Sequence, residues 1–93
     1  MANIDSLSQY VLYIYSLKSL PQKRKVKVIR ELFGYKNEVE KKTYHHKGLL
    51  QNANAQKLGQ NVILVPMENS LDFANYFNKN GLQVEARQVW LKQ

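Results

Sequence analysis

The chain has 93 residues, no cysteine and a formal net charge of +7. This length allows one domain with a small hydrophobic core, and the lack of cysteine excludes disulfides, thiolate metal ligands and thiol nucleophiles. The first residues lack the basic region of a signal peptide, and the apolar run Tyr10 to Leu17 is too short to cross a membrane, so we predict a cytoplasmic protein without a membrane partner.

The first element is predicted to be a helix from about Ser6 to Leu17. Ser6 and Gln9 match a capping box, in which each side chain bonds to a free backbone N–H group. Five apolar residues recur at the spacing of one helix face: Leu7, Tyr10, Val11, Ile14 and Leu17. The stretch is also rich in Tyr, Val and Ile, which favour strands. Leu12 and Tyr15 lie off the apolar face, and this predicts a homodimer through the first helix as one possible assembly.

A second helix is predicted between Ser19 and Gly34. Ser19 and Gln22 form another capping-box pair, Pro21 suits the first turn, and Gly34 suits the C-terminal end. The predicted inward stripe consists of apolar residues: Val26, Ile29, Leu32 and Phe33. The predicted outward stripe is basic: Lys23, Arg24, Lys27 and Arg30.

The middle of the chain alternates between polar and strand-like segments. Residues 35 to 42 are predicted to form a loop, and residues 41 to 50 a strand in which Gly48 marks a bulge or a close backbone approach. Residues 51 to 60 read as a long loop or a short helical turn. The apolar run from Asn61 to Val65, ended by Pro66, is typical of a central strand buried on both faces.

The last third predicts a helix followed by a strand. Asn69 opens the helix, Gly81 closes it, and its core face is formed by Phe73, Ala74 and Phe77. The segment Leu82 to Leu91 alternates apolar and polar residues, as a half-buried strand does. Short connections predict that this strand and the one ending at Val65 are parallel neighbours or next-neighbours joined by a right-handed crossover.

These elements predict an α+β fold in the order α-α-β-β-α-β. Two N-terminal helices would pack on a small mixed sheet that contains one βαβ crossover. We expect a single domain over residues 1–93, with a helical hairpin at 1–34 and a ββαβ portion at 41–93.

The charge is concentrated in residues 18 to 47. This basic segment holds ten Lys and Arg residues and three acids, so its charge of 10 − 3 = +7 equals that of the whole chain. Such a patch predicts binding to DNA or RNA, whereas a solvated face that only aids solubility is the simpler alternative. The predicted nucleic-acid-binding residues are Lys23, Arg24, Lys27, Arg30, Tyr35, Lys36, Lys41, Lys42, Tyr44, His46 and Lys47.

Aromatic residues within the basic segment suggest base stacking. Tyr35 and Tyr44 lie among lysines and would suit single-stranded nucleic acid or an RNA loop, whereas Phe33 continues a core stripe. His45 and His46 would point to opposite faces of a strand, and no third histidine and no cysteine completes a metal site. The four glycines form no phosphate-binding motif. We therefore predict no cofactor, no metal and no catalysis.

Two other functions remain open. One is an accessory subunit that docks on a larger nucleoprotein, replication or translation assembly through the Tyr-rich first helix and the Trp90 end. Exposed Tyr10, Tyr13 and Tyr15 would favour it. The other is a small metal-independent ribonuclease that uses Tyr44, His46 and Lys47.

The stretches RELFGYKNEVEKKTYHHKGLL and KLGQNVILVP resemble a group of short basic archaeal proteins of uncharacterised function. The resemblance covers residues 20 to 91. It implies a small accessory protein of an archaeal nucleoprotein machine and carries no site residues with it.

Overall fold

The computed structural model describes residues 7–92, which form six strands and three α-helices. The strands are β1 (Leu7–Ser16), β2 (Tyr35–Val39), β3 (Lys42–His46), β4 (Gln56–Gly59), β5 (Val62–Pro66) and β6 (Gln83–Lys92). The helices are α1 (Gln22–Phe33), α2 (Leu49–Asn52) and α3 (Ser70–Lys79), and a short 3-10 helix at Met67–Asn69 precedes α3. The α+β class is confirmed, but the order is β-α-β-β-α-β-β-α-β and strands dominate, so the predicted order α-α-β-β-α-β is wrong.

Four strands form the main sheet in the order β4-β5-β1-β6, and every neighbouring pair is antiparallel. Alternate residues of β1 are buried in one core with Phe73 and Phe77 of α3. The rings of Tyr13 and Tyr15 lie 5.3 Å and 5.7 Å from that of Phe77. The Tyr13 hydroxyl donates a hydrogen bond of 2.8 Å to the carbonyl oxygen of Ser70, so its polar end is satisfied inside the core.

The predicted N-terminal helix is wrong, because residues 7 to 16 form β1 at the centre of the sheet. A strand with neighbours on both sides suits β-branched and aromatic residues, and these fill the stretch. Ser6, the predicted cap, lies outside the described residues. Over residues 7–34 the structure has one strand and one helix, so the helical hairpin predicted at 1–34 is wrong and the predicted dimer has no first helix through which to form. Tyr13 and Tyr15 are buried, so the exposed tyrosine surface expected of a docking subunit does not form.

The predicted strand over residues 61 to 65 is confirmed as β5, in which Ile63, Leu64 and Val65 are all buried. Because β1 lies between β5 and β6 and is antiparallel to both, β5 and β6 are parallel next-neighbours, as one of the two predicted arrangements has it. The chain passes between them through α3. Residues 51 to 60, predicted to be a long loop or a short helical turn, contain the end of α2 and the edge strand β4.

The predicted second helix is confirmed as α1, but its buried face is Val28 and Leu32. Val26 and Ile29, predicted to point inward, are 38% and 45% exposed. The predicted capping box is also wrong, because the residue before the helix is Pro21 and no side chain caps it. Compared with the predicted orientation, α1 is therefore rotated about its axis. Apolar and basic side chains share its outer face.

Helix α3 follows Asn69 as predicted and buries Phe73 and Phe77, although Ala74 is exposed. Its end is closed by Gly81 at a φ of 66°, where the Leu82 N–H donates a 3.0 Å hydrogen bond to the Phe77 carbonyl oxygen. Within residues 7–92, no helix has the length and apolar character that a bilayer crossing requires.

Candidate nucleic-acid interface

Strands β2 and β3 form a two-stranded hairpin separate from the main sheet, here called the arm (residues 35–46). The pairing Val39↔Lys42 leaves only Glu40 and Lys41 in the turn, with φ angles of 51° and 67°. Two positive φ angles match a type I′ turn, which suits the twist of a hairpin. The predicted loop at 35 to 42 is therefore wrong, and the strand predicted at 41 to 50 ends at His46.

The arm is attached where two glycine backbones meet. A Cβ on Gly48 would collide with the Leu32 carbonyl oxygen and the Gly34 nitrogen, and one on Gly34 would collide with the His46 carbonyl oxygen. Gln51 secures the same place, since its side chain accepts a 2.8 Å bond from the Gly48 N–H and donates a 3.0 Å bond to the Phe33 carbonyl oxygen. The predicted close approach at Gly48 is confirmed.

One face of the arm carries aromatic rings. Tyr35 pairs with His46 across the strands, and their rings stack at 4.3 Å with an interplanar angle of 11°. The Arg30 guanidinium of α1 lies 5.1 Å from the centre of the Tyr35 ring. Tyr44 lies two residues before His46 and therefore on the same face, where it is 48% exposed. Helix α1 and the arm thus meet at Tyr35.

The two histidines lie on opposite faces of the arm, as predicted. His46 is opposite Tyr35, whereas His45 is opposite Lys36. Across residues 7–92, no group of three His, Cys, Asp or Glu side chains could hold a metal ion.

Several open hollows surround the junction of α1 and the arm, and two of them adjoin along α1. The larger, of about 470 Å³, is lined by Arg30, Tyr35, His46 and Lys47 among others. The smaller, of about 320 Å³, extends along α1 and includes Lys23 and Lys27. Both share Arg30, Glu31 and Tyr35, so the basic stripe of the helix is continuous with the aromatic face of the arm.

Sequence reasoning missed five residues that line the larger hollow, and two of them, Glu31 and Tyr76, contact each other. The Tyr76 hydroxyl donates a 3.0 Å hydrogen bond to Oε1 of Glu31. Partial burial, together with the hydrogen bond and negative charge of Glu31, raises the pKa of Tyr76 well above its usual value, while Arg24 opposes the shift. No sequence signal could have joined these residues, which are 45 positions apart.

All eleven predicted binding residues are exposed, but they do not form one cluster. The two adjoining hollows bring six of them together: Lys23, Lys27, Arg30, Tyr35, His46 and Lys47. Arg24 instead donates a 2.9 Å bond to the Asn80 carbonyl oxygen at the end of α3. Lys36 lies on the other face of the arm, whereas Lys42 and Tyr44 lie on the aromatic face beyond the hollows, and Lys41 is in the turn.

Comparison with known proteins gives no relative to reason from: no protein-family model, curated protein or solved structure is similar enough to this chain to count as a match. The resemblance to short basic archaeal proteins therefore stays a prediction.

Proposed function

We propose that the protein binds nucleic acid through the basic segment, with phosphates along α1 and bases on the aromatic face of the arm. The observation that carries the proposal is the placement of charge. Residues 18 to 47 hold a charge of 10 − 3 = +7, while the remaining residues hold four cations and four acids. Solubility needs net charge but not its confinement to one helix and one hairpin.

The outer face of α1 suits phosphate contacts. Lys23, Lys27 and Arg30 are spaced at i, i+4 and i+7, so they lie along one side of the helix. Their mutual repulsion weakens the free helix slightly, and a bound polyanion would relieve it. Arg24 has a partner within the protein, at the end of α3. We therefore assign the phosphate contacts to the other three.

The aromatic face of the arm favours single-stranded nucleic acid. Tyr35 already contacts the His46 ring and the Arg30 guanidinium. Tyr44 makes no ring contact with another aromatic residue within 7–92 and is about half exposed, so it is the better stacking platform. Stacking a base on an aromatic side chain contributes about 1–3 kcal/mol and tolerates any sequence. We expect Lys42 and Lys47 to contact the adjoining phosphates.

The charge assignment is tested by salt-titrated binding to single-stranded DNA, duplex DNA and structured RNA. The double variant Lys23→Gln/Lys27→Gln should weaken binding and flatten the log-log salt slope by about one unit per lysine removed. Lys79→Gln/Lys92→Gln removes equal charge outside the basic segment and should change little. If the two double variants lose equal affinity, the effect depends on net charge alone and not on the basic segment. If the protein binds none of the three ligands at low salt, the proposal is refuted.

The role of Tyr44 is tested on the same ligands. Tyr44→Leu should lose about 1–3 kcal/mol of binding to single strands and much less to duplex DNA. Tyr44→Phe keeps the ring and should bind like the original protein. If Leu and Phe variants bind single strands equally, no base stacks on Tyr44.

The larger hollow favours a second candidate, cleavage of RNA. His46, Lys47 and Arg30 line it beside Glu31. In such a reaction the 2′-oxygen gives its proton to His46 and attacks phosphorus, and the bond from phosphorus to the 5′-oxygen breaks while a water molecule donates a proton to that leaving oxygen. Cleavage in EDTA that is lost in His46→Ala but kept in His45→Ala would support it. Cleavage that persists in His46→Ala would refute it.

A further inference from the structure

Strand β6 is an unusually long open edge of the main sheet. It pairs with β1 over ten consecutive residues without a register shift, and within residues 7–92 no strand pairs with its other side. Nine of its ten residues are exposed, and the strand contains no proline. Proteins commonly protect such edges with short strands, bulges, prolines or charged side chains, and of these β6 has only the charged side chains of Glu85, Arg87 and Lys92.

We propose that β6 pairs with β6 of a second copy of the chain. The two strands would be antiparallel, with Ala86 of each copy at the two-fold axis. This isologous pairing would join the two main sheets into one continuous eight-stranded sheet. The strand order would be β4-β5-β1-β6 followed by the same four strands in reverse.

The charges of β6 are complementary to themselves in this register. Glu85 and Arg87 flank Ala86 on one face of the sheet, where they form an exposed ion pair of 2.9 Å within the chain. Antiparallel pairing about Ala86 places Glu85 opposite the partner's Arg87, and the two-fold axis repeats the contact. Centring the pair on Glu85 or on Arg87 would instead oppose like charges, which destabilises a sheet.

Apolar residues on the other face support the same register. Val84 and Trp90 are 41% and 56% exposed, although both lie on the side of the sheet that carries the helices. Pairing about Ala86 places Trp90 diagonal to the partner's Val84, whereas the residue directly opposite, the partner's Leu82, precedes β6 and is buried in its own core. Cross-strand contacts of this kind between aromatic and aliphatic side chains stabilise sheets. The pairing would therefore cover the exposed tryptophan.

The partner favoured by these observations is a second copy and not nucleic acid. Strand β6 contains one glutamate and two basic residues, and it lies outside the basic segment. The proposed dimer and the proposed nucleic-acid site therefore involve different residues. A result that refutes one proposal leaves the other unaffected.

Sedimentation equilibrium without nucleic acid tests the association. The original chain should dimerise, and Glu85→Arg or Arg87→Glu should each weaken dimerisation at least tenfold, because each replaces attraction by repulsion twice per dimer. An equimolar mixture of the two variants should recover dimers, since one then carries two arginines and the other two glutamates at the facing positions. A chain that stays monomeric at about 1 mM, where only very weak association would be missed, overturns the proposal. So does failure of the mixture to recover dimers.

Disulfide formation tests the register, since the chain has no cysteine of its own. Ala86→Cys should form an intermolecular disulfide on mild oxidation, because directly opposite residues have Cβ atoms about 4.5–5.5 Å apart. Val84→Cys is the matched control on the same face. It would face the partner's Gln88, about 13 Å along the strand from the second introduced cysteine, so it should not cross-link. Equal or faster cross-linking of Val84→Cys would overturn the proposal, as would a dimer that Ala86→Cys fails to cross-link.

Discussion

Strands β5 and β3 have five residues each, but the protein uses them in opposite ways. β5 has neighbours on both sides and buries its three central residues, Ile63, Leu64 and Val65. Among residues 7–92, β3 pairs only with β2, and every residue of both strands is exposed. Internal packing accounts for the residues of β5. It gives almost no reason for Lys42 or Tyr44, so their role is best sought in contacts with another molecule.

Removal of a buried aromatic ring should show most strongly that the core contributes to stability and the arm does not. Phe77 is fully buried and contacts the rings of Tyr13 and Tyr15, so Phe77→Ala should lower the free energy of unfolding by about 3–5 kcal/mol. Tyr44→Ala, in the arm, should lower it by less than about 0.5 kcal/mol. Urea unfolding followed by circular dichroism measures both. A large loss for Tyr44→Ala would mean that the arm contributes to the core.

The attachment of the arm gives the next largest effect. In Gly48→Ala the new methyl group would meet backbone atoms of Leu32 and Gly34, which cannot move aside as a side chain can, and we expect a loss of about 2–3 kcal/mol. Gly59→Ala is the matched control, because its Cβ would meet only Val62 atoms at 3.9 Å. Equal unfolding midpoints for the two variants would contradict the tight junction.

The turn of the arm should give a smaller and local effect. Lys41 has a φ of 67°, a conformation that costs a non-glycine residue about 1 kcal/mol, so Lys41→Gly should stabilise the arm by roughly that amount. Exchange of the arm amides should slow by about fivefold while global unfolding stays unchanged. Lys41→Gln removes the same charge but keeps the side chain, and its arm should exchange like that of the original protein. If amide exchange in the arm slows equally in Lys41→Gln, the slowing in Lys41→Gly results from the lost charge and not from the backbone conformation.

The smallest effect should be seen only at high pH. The pKa of Tyr76 is raised in the folded protein, so the unfolded chain releases this proton first, from about pH 10 upward. The stability contributed by the neutral hydroxyl is therefore fully present below that pH and is lost as the pH rises further. Burial also raises the pKa of Tyr13 and Tyr15, which should act in the same direction.

The variant Tyr76→Phe isolates the contribution of Tyr76. Its loss of stability between about pH 9 and about pH 11 should be smaller than that of the original protein. Urea unfolding at the two pH values measures the difference. Identical losses in the original protein and Tyr76→Phe would contradict the contact with Glu31.

The sequence predicted those elements whose boundaries carry local signals. Gly34 and Pro21 bound α1, Pro66 ends β5, and Gly81 closes α3. β1 was misread because residues 10 to 15, YVLYIY, satisfy two periods at once. Pairing with β5 on one side and β6 on the other decides in favour of the strand, and those partners come from the far end of the chain.

The sequence predicted which residues form much of the candidate site, but it did not predict how they are arranged in space. The charge of residues 18 to 47 is visible in the sequence, and so is the opposite orientation of His45 and His46. The rotation of α1 is not visible in the sequence, because Val26 and Ile29 fit a helical apolar stripe as well as Val28 and Leu32 do. The missed hydrogen bond between Tyr76 and Glu31 depends on how α3 packs near α1, which no local pattern records.

The two glycines at the base of the arm have a topological consequence. The chain leaves α1 at Gly34 and returns at Gly48, where the two backbones are in contact. In architecture the arm is therefore an insertion, and the order of the main sheet does not depend on it. We expect a chain in which a short linker joins Phe33 to Leu49 to keep its fold, and hairpins of other lengths to be accepted at the same point. Such exchange would let the surface of the protein diversify while its core stays unchanged.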